Sequence, residues 1–180
     1  MIITVATFTE AKSLIEALEL KAITHKPFSI YQNATIRLII TGIGPINAAA
    51  ALGHIVTQPT QILNVGICAG QTVGSIYNIY KVIDDASAKS YILQKDSFLP
   101  NATIRTLHYS SQKSYKELVD MEASALAAIS KRLSSPIKIV KIVSDNYDPK
   151  SVTPNVVSEL MKEKIDILLD IIANLKKDHA

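Results

Sequence analysis

The run Ile137-Lys138-Ile139-Val140-Lys141-Ile142-Val143, followed directly by Ser144-Asp145, decides the fold of this chain. Its β-branched residues are nearly continuous, and such residues favour strands over helices. A near-continuous run, without regular polar alternation, is typical of a sheet interior that is covered on both faces. The run therefore predicts a buried strand from Ile137 to Val143, with helices on both sides of the sheet.

Strand-like and helical segments alternate along the rest of the chain. We expect strands at 2–6, 29–33, 35–41, 62–65 and 72–85, and helices at 9–20, 45–56, 120–132 and 155–177. Thr9 is the expected N-cap of the first helix, and residues 86–117 are expected to hold one or two short strands and a loop. This order predicts one α/β domain over residues 1–180, with a central mixed β-sheet flanked by helices.

Composition excludes several classes of protein. With 48% apolar and 19% charged residues in 180, the chain can bury a core. A formal net charge of +3 and the absence of Trp argue against a nucleic-acid binder. The single cysteine, Cys68, fits a reducing compartment, and we expect a cytoplasmic protein without a membrane helix or signal peptide. No metal or cofactor is expected, because the histidines lack ligand spacing (His25, His54, His108 and His179).

Suggestive residues stand where four predicted strands end. They are Glu10, Gly42-Ile43-Gly44, the stretch from Gly66 to Gly70, and Asp145, with Glu122 in the first turn of a predicted helix. Ligands of open α/β sheets bind beyond the carboxyl ends of the strands. Each residue also has a purely structural interpretation, as a turn former or as an acid at a helix N-terminus. Spacing alone therefore indicates a site but names no reaction.

Two of these stretches together carry a family resemblance. Val119-Asp120-Met121-Glu122-Ala123-Ser124-Ala125-Leu126, with Ile142-Val143-Ser144-Asp145 after it, resembles the purine nucleoside phosphorylase / methylthioadenosine–S-adenosylhomocysteine nucleosidase family. Its signature there is a Met-Glu-Ala or Met-Glu-Ser helix start and a strand ending in Ser-Asp. Ala6 to Glu10, Thr41-Gly42-Ile43-Gly44 and Asn64 to Gly70 match in the same order. The resemblance covers most of residues 1–82 and 118–175, and it implies that family's fold.

The resemblance also implies roles for individual residues. The family's Ser-Asp aspartate, here Asp145, protonates the purine at N7, and its Met-Glu glutamate, here Glu122, binds the ribose hydroxyls while Met121 lies against the sugar. The nucleosidase branch activates water with a glutamate of the first helix, here Glu10. The remaining expected substrate-binding residues are Ile43, Cys68, Ala69, Gly70 and Ser144, the last as a hydrogen-bond partner of Asp145.

The attacking group separates two functions within the family. Its phosphorylases bind phosphate with arginines, one of which follows the first strand, whereas this chain has Glu10 there and only Arg37, Arg105 and Arg132 elsewhere. We therefore expect a purine-nucleoside hydrolase, with a phosphate-dependent phosphorylase as the alternative.

A catalytically degenerate nucleoside-binding protein is the other alternative. Family members carry a longer stretch where this chain has residues 86–117, and that stretch often places a phenylalanine on the purine. The candidates for such a ring here are Phe98, Tyr109 and Tyr115. The resemblance further implies a homo-oligomer, with a dimer favoured, that binds a small nucleoside.

Overall fold

The computed structural model describes residues 1–177 as a mixed sheet with helices on both faces. The strands are β1 (Ile2–Val5), β2 (Lys21–Thr24), β3 (Ser29–Gln32), β4 (Arg37–Ile40), β5 (Ile62–Ala69), β6 (Ile76–Asp84), β7 (Ser90–Ile92), β8 (Asn101–Thr106), β9 (Leu118–Asp120) and β10 (Ile137–Asp145). The helices are α1 (Phe8–Ala17), α2 (Pro45–Ile55), α3 (Ala123–Arg132), α4 (Pro154–Glu163) and α5 (Ile165–Lys177), with a short 3₁₀ turn at Pro149–Ser151. The α/β prediction is thus confirmed.

The strands that carry the expected site run in one direction. β1 pairs in parallel with β4 and β5, and β5 pairs in parallel with β10. Their carboxyl ends consequently meet at the same edge of the sheet. β10 also pairs with β6, and β6, β8 and β9 lead back to β5, so these five strands close into a small barrel.

Helices cover both faces of this sheet, as the composition of β10 predicts. Val140 and Ile142 pack in the cluster that includes residues of α1, α4 and α5. Ile139 and Val143 pack in a cluster with Ala123 and Ala127 of α3. Neighbouring side chains of one strand therefore reach opposite sides of the sheet and are buried on both. Within residues 1–177, no helix is both long and apolar enough to cross a membrane.

Several predicted boundaries are wrong, each for a local reason. The first helix begins at Phe8 with Thr7, not Thr9, as its N-cap, because the Thr7 side chain accepts the Glu10 amide. β5 does not stop at Gly66, since Gly66–Cys68 continue to pair with Lys141–Val143 of β10. Asp120 does not start a helix. It ends β9, and its carboxylate accepts the amide of Ala123, the first residue of α3.

Two further differences concern the C-terminal helix and an edge strand. The single helix predicted for 155–177 is two helices, because the backbone turns at Lys164. Each helix then lays its own apolar stripe on its neighbours: α4 buries Leu160 and Met161, and α5 buries Ile171 and Ile172. β2 was not predicted, because this edge strand is mostly exposed and has no apolar face for a pattern to reveal.

Candidate active site

One cavity of about 440 Å³ lies at the edge of the sheet where β1, β5 and β10 end. Its walls come from the start of α1, the loop after β4, the end of β5, the segment after β8, the residues before α3, and the start of α4. Glu10, Glu122 and Asp145 all line it. A concave site with converging acidic groups at this edge is the natural place for a ligand.

Glu10 reaches the cavity from the first turn of α1. Its Oε2 accepts hydrogen bonds from the amide of Thr7 at 2.7 Å and from the Thr7 hydroxyl at 2.8 Å. Its Oε1 accepts the amide of Ile67 at 3.1 Å. The same carboxylate thus completes a capping box and faces the cavity. Because three donors hold it, this carboxylate, only 2% exposed, has a fixed position.

Asp145 lies at the last position of β10, and its two carboxylate oxygens differ. Oδ1 accepts the hydroxyl of Ser144 at 2.7 Å. Oδ2 is buried and has no hydrogen-bond partner among residues 1–177. A buried polar atom without a partner is uncommon and calls for an explanation, such as a ligand that completes its bonding. Ser144 also lines the cavity, and its hydrogen bond to Asp145 is the contact through which it would orient the aspartate.

Cys68 and Ala69, at the end of β5, form part of the cavity wall, but Gly70 does not line it. The Gly70 amide instead donates to the backbone carbonyl of Asp145 at 2.9 Å. A Cβ at Gly70 would lie 2.6 Å from Leu118, so glycine is required here for close packing. Burial raises the pKa of the Cys68 thiol, which keeps it protonated and argues against a nucleophile.

Glu122 lies at the N-cap position of α3 rather than inside its first turn. Its Oε1 accepts the amide of Gly44 at 2.8 Å, which connects α3 to the loop after β4. Burial raises the pKa of Glu122 from 4.5 to about 7, against the opposing influence of Lys141. Met121 and Ile43 line the cavity near it, with Ile43 58% exposed.

A buried ion pair, one partner of which, Asp120, lines the cavity, was not predicted from the sequence. Lys141, 1% exposed in the middle of β10, lies 2.8 Å from Asp120 Oδ2. Burial lowers the pKa of Lys141, but the charges of Asp120 and Glu122 outweigh it and hold that pKa above its usual value. A Cβ on Gly66 would lie 3.1 Å from Glu10 Oε1 and 3.3 Å from Lys141 Nζ, so both groups border the space above Gly66.

The available signal for this pair was a lysine inside an otherwise apolar strand. A buried lysine almost always has an acidic partner. The sequence did not reveal which acid this would be, because the partner comes from β9, whose position was not predicted.

Within residues 1–177, no cluster of three or more His, Cys, Asp or Glu side chains is placed to hold a metal. His179 lies outside the described residues.

The segment after β8 forms one wall of the cavity. The sequence offered only three scattered aromatic candidates for this wall, between Phe98 and Tyr115. Leu107, Tyr109, Ser110 and Ser111 line the cavity. Of the three aromatic candidates for a ring over the base, Tyr109 therefore lies at the cavity, while Phe98 and Tyr115 do not line it. Tyr109 is 64% exposed, which leaves its ring face available to a ligand.

The three arginines lie elsewhere. Arg37 donates to the carbonyl of Ile55, and Arg105 forms ion pairs at 3.1 Å with Asp85 and with Glu117. Arg132 lies in the last turn of α3. None of them lines the cavity.

Solved structures share this architecture over nearly the whole chain. The 5′-methylthioadenosine nucleosidase of Arabidopsis thaliana superimposes with a TM-score of 0.80 at 16% identity, covering 97% of this chain and 94% of that one. The 5′-methylthioadenosine/S-adenosylhomocysteine nucleosidase of Helicobacter pylori, in complex with butyl-thio-DADMe-Immucillin-A, gives 0.80 at 12% identity and covers 96% and 97%. The futalosine hydrolase of Helicobacter pylori gives 0.80 at 11%, covering 96% and 97%.

By sequence, neither a protein-family model nor a curated protein matches this chain. The structural likeness confirms the fold that the sequence resemblance implied, a nucleosidase-like α/β domain.

Proposed function

We propose that this protein hydrolyses the N-ribosidic bond of a purine nucleoside, as the methylthioadenosine/S-adenosylhomocysteine nucleosidases that share its fold are named for doing. The observation that carries the proposal is the convergence of Glu10, Glu122 and Asp145 on one cavity. The reaction needs a proton donor for the departing base, a base for water and a group that binds the sugar. Three separately positioned carboxylates suit these three tasks.

Each carboxylate suits its task by its surroundings. The unpartnered Oδ2 of Asp145 carries a proton to N7 of the purine, so that the base leaves with the electrons of the C1′–N9 bond. Glu10 takes a proton from a water molecule as the oxygen of that water bonds to C1′. Glu122 accepts hydrogen bonds from the ribose hydroxyls, and such charge-assisted bonds are the stronger ones. The products are the free purine and the free sugar.

Water, rather than phosphate, is the proposed attacking group. Phosphate is held best by the planar fork of arginine, and the three arginines of this chain lie away from the cavity. Glu10, a buried acid, lies where an attacking group would approach and would repel a phosphate dianion. The lack of an arginine among the cavity-lining residues supports hydrolysis over the alternative phosphorylase function.

Turnover in phosphate-free buffer tests this proposal. Methylthioadenosine, S-adenosylhomocysteine, inosine and futalosine are incubated with the protein, and the base and the sugar are separated by chromatography. We expect free base and free sugar in equal amounts, without added phosphate. Strict dependence on phosphate, with a sugar phosphate as product, would contradict hydrolysis. Binding without any turnover would support the degenerate nucleoside-binding alternative.

Glu10→Gln tests the proposed base directly. Glutamine keeps the shape and is accepted at this position of a capping box, so the fold should persist. Because the amide cannot take a proton from water, we expect kcat to fall by about 10²–10⁴-fold. The side-chain NH₂ of glutamine would face a backbone amide that has lost its acceptor, so the free energy of unfolding should also fall, by about 1–3 kcal/mol, without loss of the fold. Glu16→Gln, on an exposed position of the same helix, is the matched control. Equal turnover of both variants would remove Glu10 from the mechanism.

We further propose that the protein is a cytoplasmic homodimer. A reducing compartment suits its lone, buried cysteine. An exposed apolar pair supports the dimer: Ile43, in the loop before α2, is 58% exposed, and Ile46, in its first turn, is 82% exposed. Apolar surface of this kind beside a ligand cavity is typical of an interface.

A further inference from the structure

The loop between β8 and β9, residues 107–117, is attached to the rest of the protein at its two ends. At its start, the Leu107 amide donates to the carbonyl of Asp120 at 2.8 Å, and His108 Nε2 lies 3.1 Å from Asp84 Oδ2. Between the ends, residues 108–110 and 112–114 are exposed. The part of the loop that faces the cavity, Tyr109 to Ser111, therefore depends on the end attachments for its position.

The second attachment is made by Tyr147. Its hydroxyl lies 2.8 Å from the carbonyl oxygen of Tyr115 and 3.0 Å from that of Glu117, and it donates to both in a bifurcated bond. The ring is buried, with the residue 6% exposed. Burial raises the pKa of the Tyr147 phenol, so the hydroxyl keeps its proton and remains a donor.

The backbone of Tyr147 adds to this observation. Its φ is +56°, in the left-handed region that a residue with a bulky side chain rarely adopts. Such a conformation persists only where the surrounding contacts hold it. Tyr147 follows Asp145 by two residues, so the chain leaves the proposed proton donor and turns sharply to bring this ring beneath the loop.

We propose that Tyr147 is a positioning residue, which fixes the 107–117 loop relative to Asp145 so that Tyr109 can lie on the face of the purine whose N7 edge the proton donor contacts. This rests on the proposed function. Tyr147 does not line the cavity and touches no reacting atom. It acts through the two loop carbonyls, and the loop in turn forms the wall of the cavity.

Tyr147→Phe removes the hydroxyl and keeps the buried ring. We expect KM for the nucleoside, and its Kd by calorimetry, to rise by about tenfold, because the ion pair of Glu117 with Arg105 then holds this end of the loop without the Tyr147 hydroxyl, and the ligand itself must supply the remaining order. The chemical groups stay in place, so kcat should change by less than about threefold. Tyr91→Phe, at a half-buried tyrosine of β7, is the matched control and should leave both constants unchanged.

Hydrogen exchange supplies a second measurement on the unmodified protein. Nucleoside binding should slow exchange of the amides of residues 109–114, and Tyr147→Phe should speed their exchange in the free protein. Unchanged KM and Kd in a folded Tyr147→Phe, or an equal loss in Tyr91→Phe, would overturn the inference. Exchange that nucleoside leaves unaltered would also overturn it. A wild-type protein that binds no nucleoside would instead overturn the proposed function.

Discussion

At the scale of single residues, the site is built from acids whose surroundings make them unequal. Glu10 accepts three hydrogen bonds, Asp145 keeps one oxygen unpartnered, and Glu122 accepts one backbone amide while buried. Burial disfavours the charged form of a carboxyl group, and hydrogen bonds to it favour that form. Three groups of one chemical type therefore differ in hydrogen bonding and burial from position alone, which is what their different proposed tasks require.

The first prediction concerns the pH dependence that Glu122 imposes. Its pKa of about 7 means that the free protein carries this group half-ionised near neutrality. If Glu122 binds the ribose hydroxyls in its ionised form, as proposed, kcat/KM should rise with pH between about 6 and 8, as expected for a group titrating in the free protein. The pH profile of initial rates at low substrate measures it. Glu122→Gln should remove the rise of kcat/KM between about pH 6 and 8. An unchanged pH profile in that variant would show that Glu122 does not cause the rise.

The raised pKa of Glu122 extends the first prediction to the free energy of unfolding, with a defined sign. Between pH 4.5 and about 7 the folded protein holds a proton on Glu122 that the unfolded chain has released. The free energy of unfolding should therefore fall as pH rises through this window, by up to ~3 kcal/mol. Urea denaturation of the wild type and of Glu122→Gln at pH 5 and pH 8 measures the difference. Identical pH dependence of the two proteins would be inconsistent with the raised pKa.

At the scale of secondary-structure elements, the start of α1 joins folding to chemistry. Thr7 caps the helix and supplies two of the three hydrogen bonds to Glu10. The helix cannot lose this cap without also loosening the carboxylate. A substitution that weakens the helix cap should therefore also disturb the position of the Glu10 carboxylate.

The second prediction is made at this scale. Thr7→Ala removes the capping hydroxyl and should lower the free energy of unfolding by about 1 kcal/mol. It should also lower kcat, since Glu10 Oε2 loses one of its donors. Thermal unfolding and steady-state rates measure the two effects. Thr7→Ser, which restores the hydroxyl, should recover both, and a kcat that stays at the wild-type value in Thr7→Ala would separate the cap from catalysis.

The elements also show what the sequence could and could not reveal. Buried strands such as β10 were predictable, because their composition records burial on both faces. The strand-end position of Glu10 and Asp145 followed from that order of elements. Lys141 was not interpretable, since its partner Asp120 comes from a three-residue strand that carries no pattern of its own. The path of the 107–117 loop could not be predicted either, because contacts with distant residues, not local propensity, determine it.

At the scale of the whole molecule, the exposed isoleucines at the start of α2 lie beside the cavity. Ile43 lines it, and Ile46 lies outside it at 82% exposure. A second copy that covered Ile46 would therefore contact the edge of the cavity, and assembly would be connected to substrate binding.

The third prediction follows from that arrangement. Ile46→Lys should convert a dimer into a folded monomer, because a charge would be buried in the interface without a partner. Size-exclusion chromatography with light scattering measures the mass, and circular dichroism confirms the fold. Ile92→Lys, at a 71% exposed position on β7, is the matched control and should leave the mass unchanged. A wild-type protein that is monomeric at all concentrations would contradict the proposed dimer.

The closed ring of β5, β10, β6, β8 and β9 has a consequence for the time at which activity arises during synthesis. Asp145 is carried by the last strand of the ring, which inserts between β5 and β6 more than fifty residues after either was made. Such distant pairings form slowly. A nascent chain that already contains Glu10 and Glu122 still lacks Asp145, the proposed proton donor, and the cavity wall from α4. On the proposed function, a chain emerging from the ribosome should therefore stay inactive until Asp145 and α4 have been made, and substrate should stabilise only the folded protein.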